Sequence, residues 1–237
     1  MASDKDLATQ SAKRTEYWEA RVETCDGIRK VLNVPKAEEL SKLEMAEFFG
    51  VLPSLNGKNV LDIGAGIGRY TVELAKKAKH VTALDLMEVY TLMNKESHGS
   101  MGNIDFLTAD ILEVEFPADS YDLMFSNGLL QYMEDEEIKR FALKALTWMT
   151  EGGHLFFREI SENILSLKET VKDPSICRQP AEYLTIFDGI RLPVDGSDEI
   201  YKWSLVAMEQ VQCVKTMFSK ESDKYWLYQK VRMPSTN

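Results

Sequence analysis

Several acidic residues follow short apolar runs at spacings that suit a nucleotide-like ligand carrying a ribose and an amino-acid group. Asp62 lies two residues before a glycine-rich turn that contains Gly64, Gly66 and Gly68, and glycines let a backbone turn tightly and approach a ligand closely. A carboxylate at this position can accept a hydrogen bond from an ammonium group. Asp85 closes the next apolar run, 21 residues after Gly64, where an acid can bind both hydroxyls of a ribose.

The spacing of the glycines distinguishes between two cofactor classes. They follow G-x-G-x-G with an acid before them, whereas nicotinamide dehydrogenases use G-x-G-x-x-G. The pattern therefore favours the methyl donor S-adenosylmethionine. Asp110 and Ile111 follow the third apolar run and resemble the adenine-edge pair of Rossmann-like methyltransferases. Leu86, Ser126 and Asn127 complete the predicted cofactor-binding set.

Each acid taken alone is equally compatible with a helix N-cap or an exposed strand end. Three acids at the ends of three successive strands favour a shared site, because independent local signals then agree with one fold.

These residues need a scaffold that brings strand ends together, and the sequence predicts one. From Asn59 to Phe157 short apolar runs alternate with amphipathic stretches, which is typical of βαβ units with a parallel sheet. We expect an α/β fold of the Rossmann-like class I methyltransferase type, with a seven-stranded, mostly parallel sheet and a C-terminal antiparallel hairpin. Helices are predicted over 15–31 and 38–51, and hairpin strands over 202–218 and 224–231. The predicted single domain, 1–237, divides into a helical lid (1–52), a cofactor-binding core (53–159), a loop-rich substrate-side insertion (160–200) and the hairpin region (201–237).

The composition of the chain limits the classes of ligand that it is expected to bind. The chain has 237 residues and a formal charge of −10, whereas nucleic-acid binding needs clustered basic residues to displace counterions. A small anion remains compatible with a local basic pocket. The amino terminus has no apolar stretch of the signal-peptide kind, so we expect a cytoplasmic protein without membrane insertion. Three widely spaced cysteines, Cys25, Cys177 and Cys213, predict neither disulfides nor a metal site.

The loop after the fourth strand, 125–132, should face the transferred group, because ligands of open α/β sheets bind beyond the carboxyl ends of the strands. It lacks the acid or amide followed by two prolines and an aromatic residue that is typical of nucleic-acid amino-methyltransferases. Together with four other segments it resembles the first methyltransferase domain of plant and nematode phosphoethanolamine N-methyltransferases. The five segments are Leu61 to Thr71, Phe125 to Tyr132, Gly152 to Glu159, Cys177 to Tyr183 and Trp226 to Val231.

This resemblance, which runs over about residues 15 to 232, implies a phosphobase substrate. Its phosphate needs a cationic clamp, and Arg158, Arg178 and Tyr183 can supply charge-assisted and hydroxyl hydrogen bonds. Lys230 is a weaker fourth candidate. Each arginine is also compatible with a surface residue or a salt bridge, and for Lys230 that structural role is favoured.

The amine of such a substrate has an ordinary pKa of about 10 and must lose a proton before it can attack. Single-domain relatives pair an N-terminal tyrosine with a histidine in the loop after the fourth strand. In this chain Tyr132 stands where that histidine lies, and Tyr17 is the corresponding N-terminal tyrosine. Both are predicted to be catalytic, with packing roles as the alternative.

The resemblance implies direct methyl transfer from S-adenosylmethionine to phosphoethanolamine, without a metal. Relatives of this type usually carry a second half, so the chain is expected to perform the first methylation and to leave later ones to a second methyltransferase. Two alternatives remain open: a methyltransferase for another small molecule, and a catalytically silent cofactor-binding regulatory partner.

Overall fold

A computed structural model of the protein describes residues 4–24, 36–161 and 173–235, with the side chains of the first helix described from Ala12 to Val22. The helices are α1 (Asp4–Thr24), α2 (Ala37–Val51), α3 (Thr71–Ala75), α4 (Glu88–His98), α5 (Asp135–Trp148), α6 (Pro180–Asp188) and α7 (Gln212–Phe218). The strands are β1 (Asn59–Ile63), β2 (His80–Asp85), β3 (Ile104–Thr108), β4 (Tyr121–Asn127), β5 (Met149–Ile160), β6 (Arg191–Pro193), β7 (Glu199–Gln210) and β8 (Asp223–Pro234).

All eight strands form one sheet in the order β3-β2-β1-β4-β5-β8-β7-β6. The first five strands in this order pair in parallel, and β8, β7 and β6 add to the edge in antiparallel pairing. The chain leaves β1 towards one side for β2 and β3 and later returns to its other side for β4. This reversal opens a crevice at the carboxyl ends of β1 and β4, the place where open α/β sheets bind ligands.

Apolar side chains cover both faces of the sheet, as expected for strands buried by helices on either side. On one face Phe125 stacks on Phe156, with ring centroids 4.9 Å apart. On the other, Phe157 stacks on Trp226 at 5.0 Å. Such aromatic pairs add about 0.5–1.5 kcal/mol beyond their buried area. The central strands are therefore a rigid base for the residues at their ends.

The α/β architecture with a mostly parallel sheet is confirmed, but the predicted strand count is wrong. The structure has an eighth strand, β6, because Arg191 to Pro193 pairs with the start of β7 inside the region predicted as a loop-rich insertion. The first hairpin strand, predicted over 202–218, ends at Gln210 and is followed by α7.

The predicted helix over 38–51 is confirmed as α2, whereas α1 begins at Asp4, well before the predicted residue 15. Residues 25–31 of that prediction lie outside the described residues. Within the described ranges, the helices are all too short or too polar to cross a membrane. The cytoplasmic location and the division of the chain into four segments stay predictions.

Candidate active site

A cleft of about 320 Å³ lies beyond the carboxyl ends of β1, β2 and β4, and α1 covers it from the opposite side. Eight of the ten predicted cofactor-binding residues line it, whereas Gly68 and Ser126, both within the described residues, lie outside the lining. The eight are Asp62, Gly64, Gly66, Asp85, Leu86, Asp110, Ile111 and Asn127. Acids that are far apart in the sequence thus meet in one cavity.

The glycine-rich turn is fastened to the end of β2. The backbone N–H groups of Gly64 and Ala65 donate to the carbonyl of Leu84 at 2.8 and 3.0 Å. Gly66, at φ +56°, donates its N–H to the Asp85 carboxylate at 2.8 Å. An L-residue rarely adopts this left-handed conformation. The turn therefore brings bare backbone against the cleft.

Gly68 was predicted to bind the cofactor, but its place in the structure is a packing position. A side chain there would overlap the amide of Asn94 on α4. The same Asn94 amide donates to Thr71 Oγ1 at 3.1 Å, and Thr71 donates to Asp62 at 2.6 Å. Because Gly68 has no side chain, the Asn94 amide can pack against it and bind Thr71, which in turn donates to Asp62.

Burial dominates the electrostatics of the two central acids. It raises the pKa of Asp62 to about 7, against the Thr71 hydrogen bond, which lowers it. Burial also raises the pKa of Asp85 to about 6, although the backbone N–H groups of Met87 and Gly66 oppose this shift. Each acid would be stabilised as a carboxylate by a cationic or hydrogen-bond-donating ligand in the cleft.

The remaining cofactor candidates occupy the other walls of the cleft or its edge. Asp110 accepts the backbone N–H of Leu112 at 2.8 Å. Asn127 lines the cleft, and its buried Oδ1 atom has no hydrogen-bond partner among the residues that the structure describes. Ser126 is fully buried inside the sheet. Asn127 lines the cleft and Ser126 does not, because consecutive residues of a strand point to opposite faces; the role of Ser126 as a cofactor ligand stays a prediction.

Both predicted tyrosines lie at the α1 side of the cleft. The Tyr17 and Tyr132 rings are 6.1 Å apart, and the Tyr17 hydroxyl donates to Asp173 Oδ2 at 3.3 Å. Arg21 Nη1 donates to the same hydroxyl at 3.3 Å. Burial raises the pKa of the Tyr132 phenol well above its usual range, and nearby Tyr17 and Asp173 add to this. Tyr132 is therefore a neutral phenol at physiological pH.

Arg158 is the one predicted phosphate ligand that reaches the cleft. Its guanidinium forms an ion pair with Asp223 and lies 3.7 Å from Glu44 Oε1. Glu44 also accepts hydrogen bonds from Arg69 at 2.5 Å and from the Tyr70 hydroxyl at 3.1 Å. The Arg158 Nε atom is buried and has no hydrogen-bond partner among the described residues. A buried donor in this state is costly unless a ligand accepts from it.

Arg178 was predicted to bind phosphate, but the structure places it behind the cleft. Its side chain is 2% exposed, and all three guanidinium nitrogens have protein partners. Nε donates to Asp135 at 2.8 Å, Nη1 to the carbonyl of Leu130 at 3.3 Å, and Nη2 to the carbonyl of Met133 at 2.5 Å. These contacts use three of the five guanidinium N–H donors, and Arg178 is not among the residues that line the cleft.

Tyr183 and Lys230 also lie away from the cleft, contrary to prediction. Tyr183 is fully buried and packs against Trp226, with ring centroids 5.0 Å apart. The Lys230 ammonium donates to the carbonyl of Met149 at 2.6 Å and to Asp119 at 3.1 Å. Met149 begins β5, so Lys230 lies at the end of the sheet opposite the cleft. In the structure, the contacts given for both residues are with other parts of the protein, outside the cleft.

Two charged residues that the sequence did not single out hold the backbone around Tyr132. Arg14 on α1 forms a bidentate pair with Glu137 at 2.6 and 3.0 Å and donates to the carbonyl of Tyr132 at 2.8 Å. Glu159 accepts the backbone N–H groups of residues 129–131 at 2.9 to 3.2 Å. Burial raises its pKa to about 7. Local sequence carries no signal for these roles, because the partners of both side chains are distant in the chain.

Comparison with known proteins agrees with the sequence resemblance. The family model described as a methyltransferase domain matches residues 60–153. Phosphoethanolamine N-methyltransferase 3 of Arabidopsis thaliana is 36% identical over 83% of this chain and 40% of its own length. Phosphoethanolamine N-methyltransferase 1 of Zea mays is 33% identical over 95% of this chain and 45% of its own length. The chain thus spans less than half of the curated relatives that it matches here.

Two solved structures have a similar fold. Phosphoethanolamine N-methyltransferase 1 of Haemonchus contortus, in complex with phosphoethanolamine and S-adenosylhomocysteine, superposes with a TM-score of 0.87 at 27% identity, over 96% of this chain and 50% of that one. A methyltransferase of Leishmania major superposes at 0.73 and 22% identity, over 93% of this chain and 83% of that one, and shares the fold.

Proposed function

From the premise that this chain has the Rossmann-like fold of S-adenosylmethionine-dependent methyltransferases, we propose that it transfers the methyl group of this donor to the unprotonated amine of phosphoethanolamine. The products would be S-adenosylhomocysteine, phospho-monomethylethanolamine and one proton. The observation that carries the proposal is the similarity, over 96% of the chain, to a structure that holds phosphoethanolamine and the demethylated cofactor.

The donor end of the cleft suits S-adenosylmethionine, which when bound supplies an electrophilic methyl group on a sulfonium. Asp62 would bind the ammonium group of the methionine part of the donor. Arg69, which also lines the cleft, would bind the carboxylate of that methionine part. Asp85 would accept hydrogen bonds from both ribose hydroxyls while it keeps Gly66, because each carboxylate oxygen can accept more than one hydrogen bond. Asp110 and Ile111 would meet the adenine edge. The buried Oδ1 atom of Asn127 is a further acceptor that a ligand would satisfy.

The acceptor end suits a small anion. Against a chain charge of −10, the described lining contains three arginines besides Arg69, which are Arg14, Arg21 and Arg158. Arg158 is the best placed to bind phosphate, because it is buried and its Nε donor lacks a partner among the described residues. Charge-assisted hydrogen bonds to phosphate are stronger than neutral ones.

Tyr132 and Tyr17 would orient the amine towards the methyl group. The raised pKa of Tyr132 favours an orienting hydroxyl over a base, since a phenol must be ionised to take a proton at neutral pH. The hydrogen bond from Tyr17 to Asp173 would bring a carboxylate close to the positive charge that develops on the amine. Orientation and electrostatic fit would then be the main catalytic contributions.

A substrate panel tests the proposal directly. With labelled donor, phosphoethanolamine should be methylated, and ethanolamine and glycine should react very poorly. Monomethylated and dimethylated phosphobases should be weaker acceptors than phosphoethanolamine. Efficient turnover of glycine or another compound would replace the substrate assignment, and donor binding without turnover of any phosphobase would favour a regulatory partner.

Arg158→Met tests the phosphate contact. The Michaelis constant for phosphoethanolamine should rise by about 10- to 100-fold, the range for one hydrogen bond to a charged group. Donor affinity measured by calorimetry should be retained, which controls for folding of the variant. An unchanged Michaelis constant would exclude Arg158 as the phosphate ligand.

A further inference from the structure

The loop that carries Tyr132 is fixed by charged side chains from three separate parts of the chain. Residues 128–133 follow β4 and include a 3-10 turn over Leu130–Tyr132. Glu159 on β5 accepts the N–H groups of residues 129–131. Arg178, just before α6, donates to the carbonyls of Leu130 and Met133. Arg14 on α1 donates to the carbonyl of Tyr132.

Six polar backbone groups of this loop thus have a side-chain partner, namely the N–H groups of residues 129–131 and the carbonyls of Leu130, Tyr132 and Met133. Buried N–H and C=O groups are nearly always paired, and leaving one unpaired costs about 1–3 kcal/mol. A guanidinium is well suited to bridge two carbonyls, because its donors form a rigid planar fork. Loss of the Arg178 side chain would remove the side-chain donor from both carbonyls, of which that of Leu130 keeps the backbone N–H of Met133 at 3.1 Å.

We infer that Arg178 is a positioning residue, which together with Glu159 and Arg14 holds the 128–133 loop so that Tyr132 faces the acceptor amine. Its relation to turnover rests on the proposed methyl transfer, whereas its hold on the loop does not. The alternative, that Arg178 binds the substrate phosphate, requires the same guanidinium to abandon the carbonyls of Leu130 and Met133 and the carboxylate of Asp135.

The two roles differ in their kinetic signature. A phosphate ligand acts on substrate binding, so its loss raises the Michaelis constant for phosphoethanolamine and weakens inhibition by inorganic phosphate. A positioning residue acts on the geometry of the reacting groups, where a shift of about 1 Å can lower turnover by about 100-fold.

The experiment compares Arg178→Met and Arg178→Lys with Arg140→Met, a control on the surface of α5 whose side chain is 54% exposed. We expect faster hydrogen exchange in the 128–133 loop of Arg178→Met, since the loop backbone opens more readily. Turnover should fall by about 10- to 100-fold, with the Michaelis constant and phosphate inhibition retained. Arg178→Lys should recover part of both properties, because an ammonium can still reach one carbonyl.

Loss of phosphate inhibition with unchanged loop exchange would overturn the inference. If Arg178→Met fails to fold, Arg178→Lys and Glu159→Gln are compared in its place, and unchanged loop exchange in both has the same meaning. A wild-type enzyme that does not methylate phosphoethanolamine would refute the proposed function, while the exchange data would still decide whether Arg178 holds the loop.

Discussion

The Asp85 carboxylate accepts the backbone N–H of Gly66 at 2.8 Å, and this bond ties the end of β2 to the glycine-rich turn that follows β1. The acid proposed to bind the ribose thus also shapes the backbone that approaches the cofactor. Its substitution affects both features together.

Asp85→Ala should weaken donor affinity at least about tenfold, because hydrogen bonds that involve a charged group contribute about 1.5–3 kcal/mol each. Calorimetric titration with S-adenosylmethionine measures the effect. The matched control is Asp105→Ala, which removes an exposed carboxylate of β3 that pairs with His80. This variant should bind S-adenosylmethionine with normal affinity. Unchanged affinity in a folded Asp85→Ala protein would refute the cofactor assignment.

Donor binding should depend on pH through Asp62 and Asp85. Both folded-state pKa values, about 7 and about 6, lie above the ordinary 3.8. The stability that these protonated acids contribute is therefore complete below about pH 4 and is lost as pH rises through 6 and 7. A cationic ligand lowers both pKa values, so binding should release protons.

The affinity for S-adenosylmethionine should consequently increase between about pH 6 and pH 8, by at most about tenfold per pH unit for each proton released. Calorimetry in buffers of different ionisation enthalpy counts the protons. Asp62→Asn should release fewer of them, and a pH-independent affinity in the wild type would contradict this prediction.

Tyr132→Phe should lower turnover by about 10- to 100-fold, as expected for one lost hydrogen bond to a charged group, with nearly intact affinity for both ligands. The phenyl ring keeps the packing against Trp18, at 5.4 Å between centroids. Since the pKa of Tyr132 is raised, wild-type turnover should show no loss near pH 9 from ionisation of this residue. Wild-type rates in Tyr132→Phe would assign the hydroxyl to the pocket wall.

Gly68→Ala should destabilise the protein more than Gly102→Ala. Both glycines have positive φ, at +88° and +76°, but a side chain at 68 overlaps Asn94, whereas nothing lies within 4 Å at 102. The left-handed backbone costs about 1–2 kcal/mol in each case, and overpacking adds about 1–3 kcal/mol at 68. Chemical denaturation gives the free energy of unfolding of both variants. Equal losses of stability would show that the Asn94 side chain moves aside without an energetic penalty.

The parts of the site that follow from local pattern were predictable. Apolar runs set the parallel strands, and an acid that ends such a run must lie at the carboxyl edge, which is where the structure has Asp62, Asp85 and Asp110. Their roles in cofactor binding stay predictions. Arg178 and Lys230 could not be placed this way, because one charged side chain can serve a ligand or a distant backbone carbonyl, and only tertiary contacts decide. Arg14 shows the same limit, since its carbonyl partner is 118 residues away.

The length of the first hairpin strand was mispredicted for a related reason. Residues 212–218 are as apolar and β-branched as the strand before them, but the N–H groups of Gln212 and Cys213 are taken by the carboxylate of Glu47 on α2. This contact with a distant helix ends β7 and begins α7. The sequence of residues 202–218 alone does not predict the contact.

The four tryptophans divide into two optical populations. Trp148, Trp203 and Trp226 are at most 1% exposed in the core, so their emission should report on global unfolding. Trp18 lies on α1 in the wall of the cleft, 5.2 Å from the Tyr17 ring, where a bound ligand changes its surroundings. Intrinsic fluorescence can therefore follow ligand binding and denaturation in the same unlabelled sample, and Trp18→Phe would remove the binding signal while leaving the unfolding signal in place.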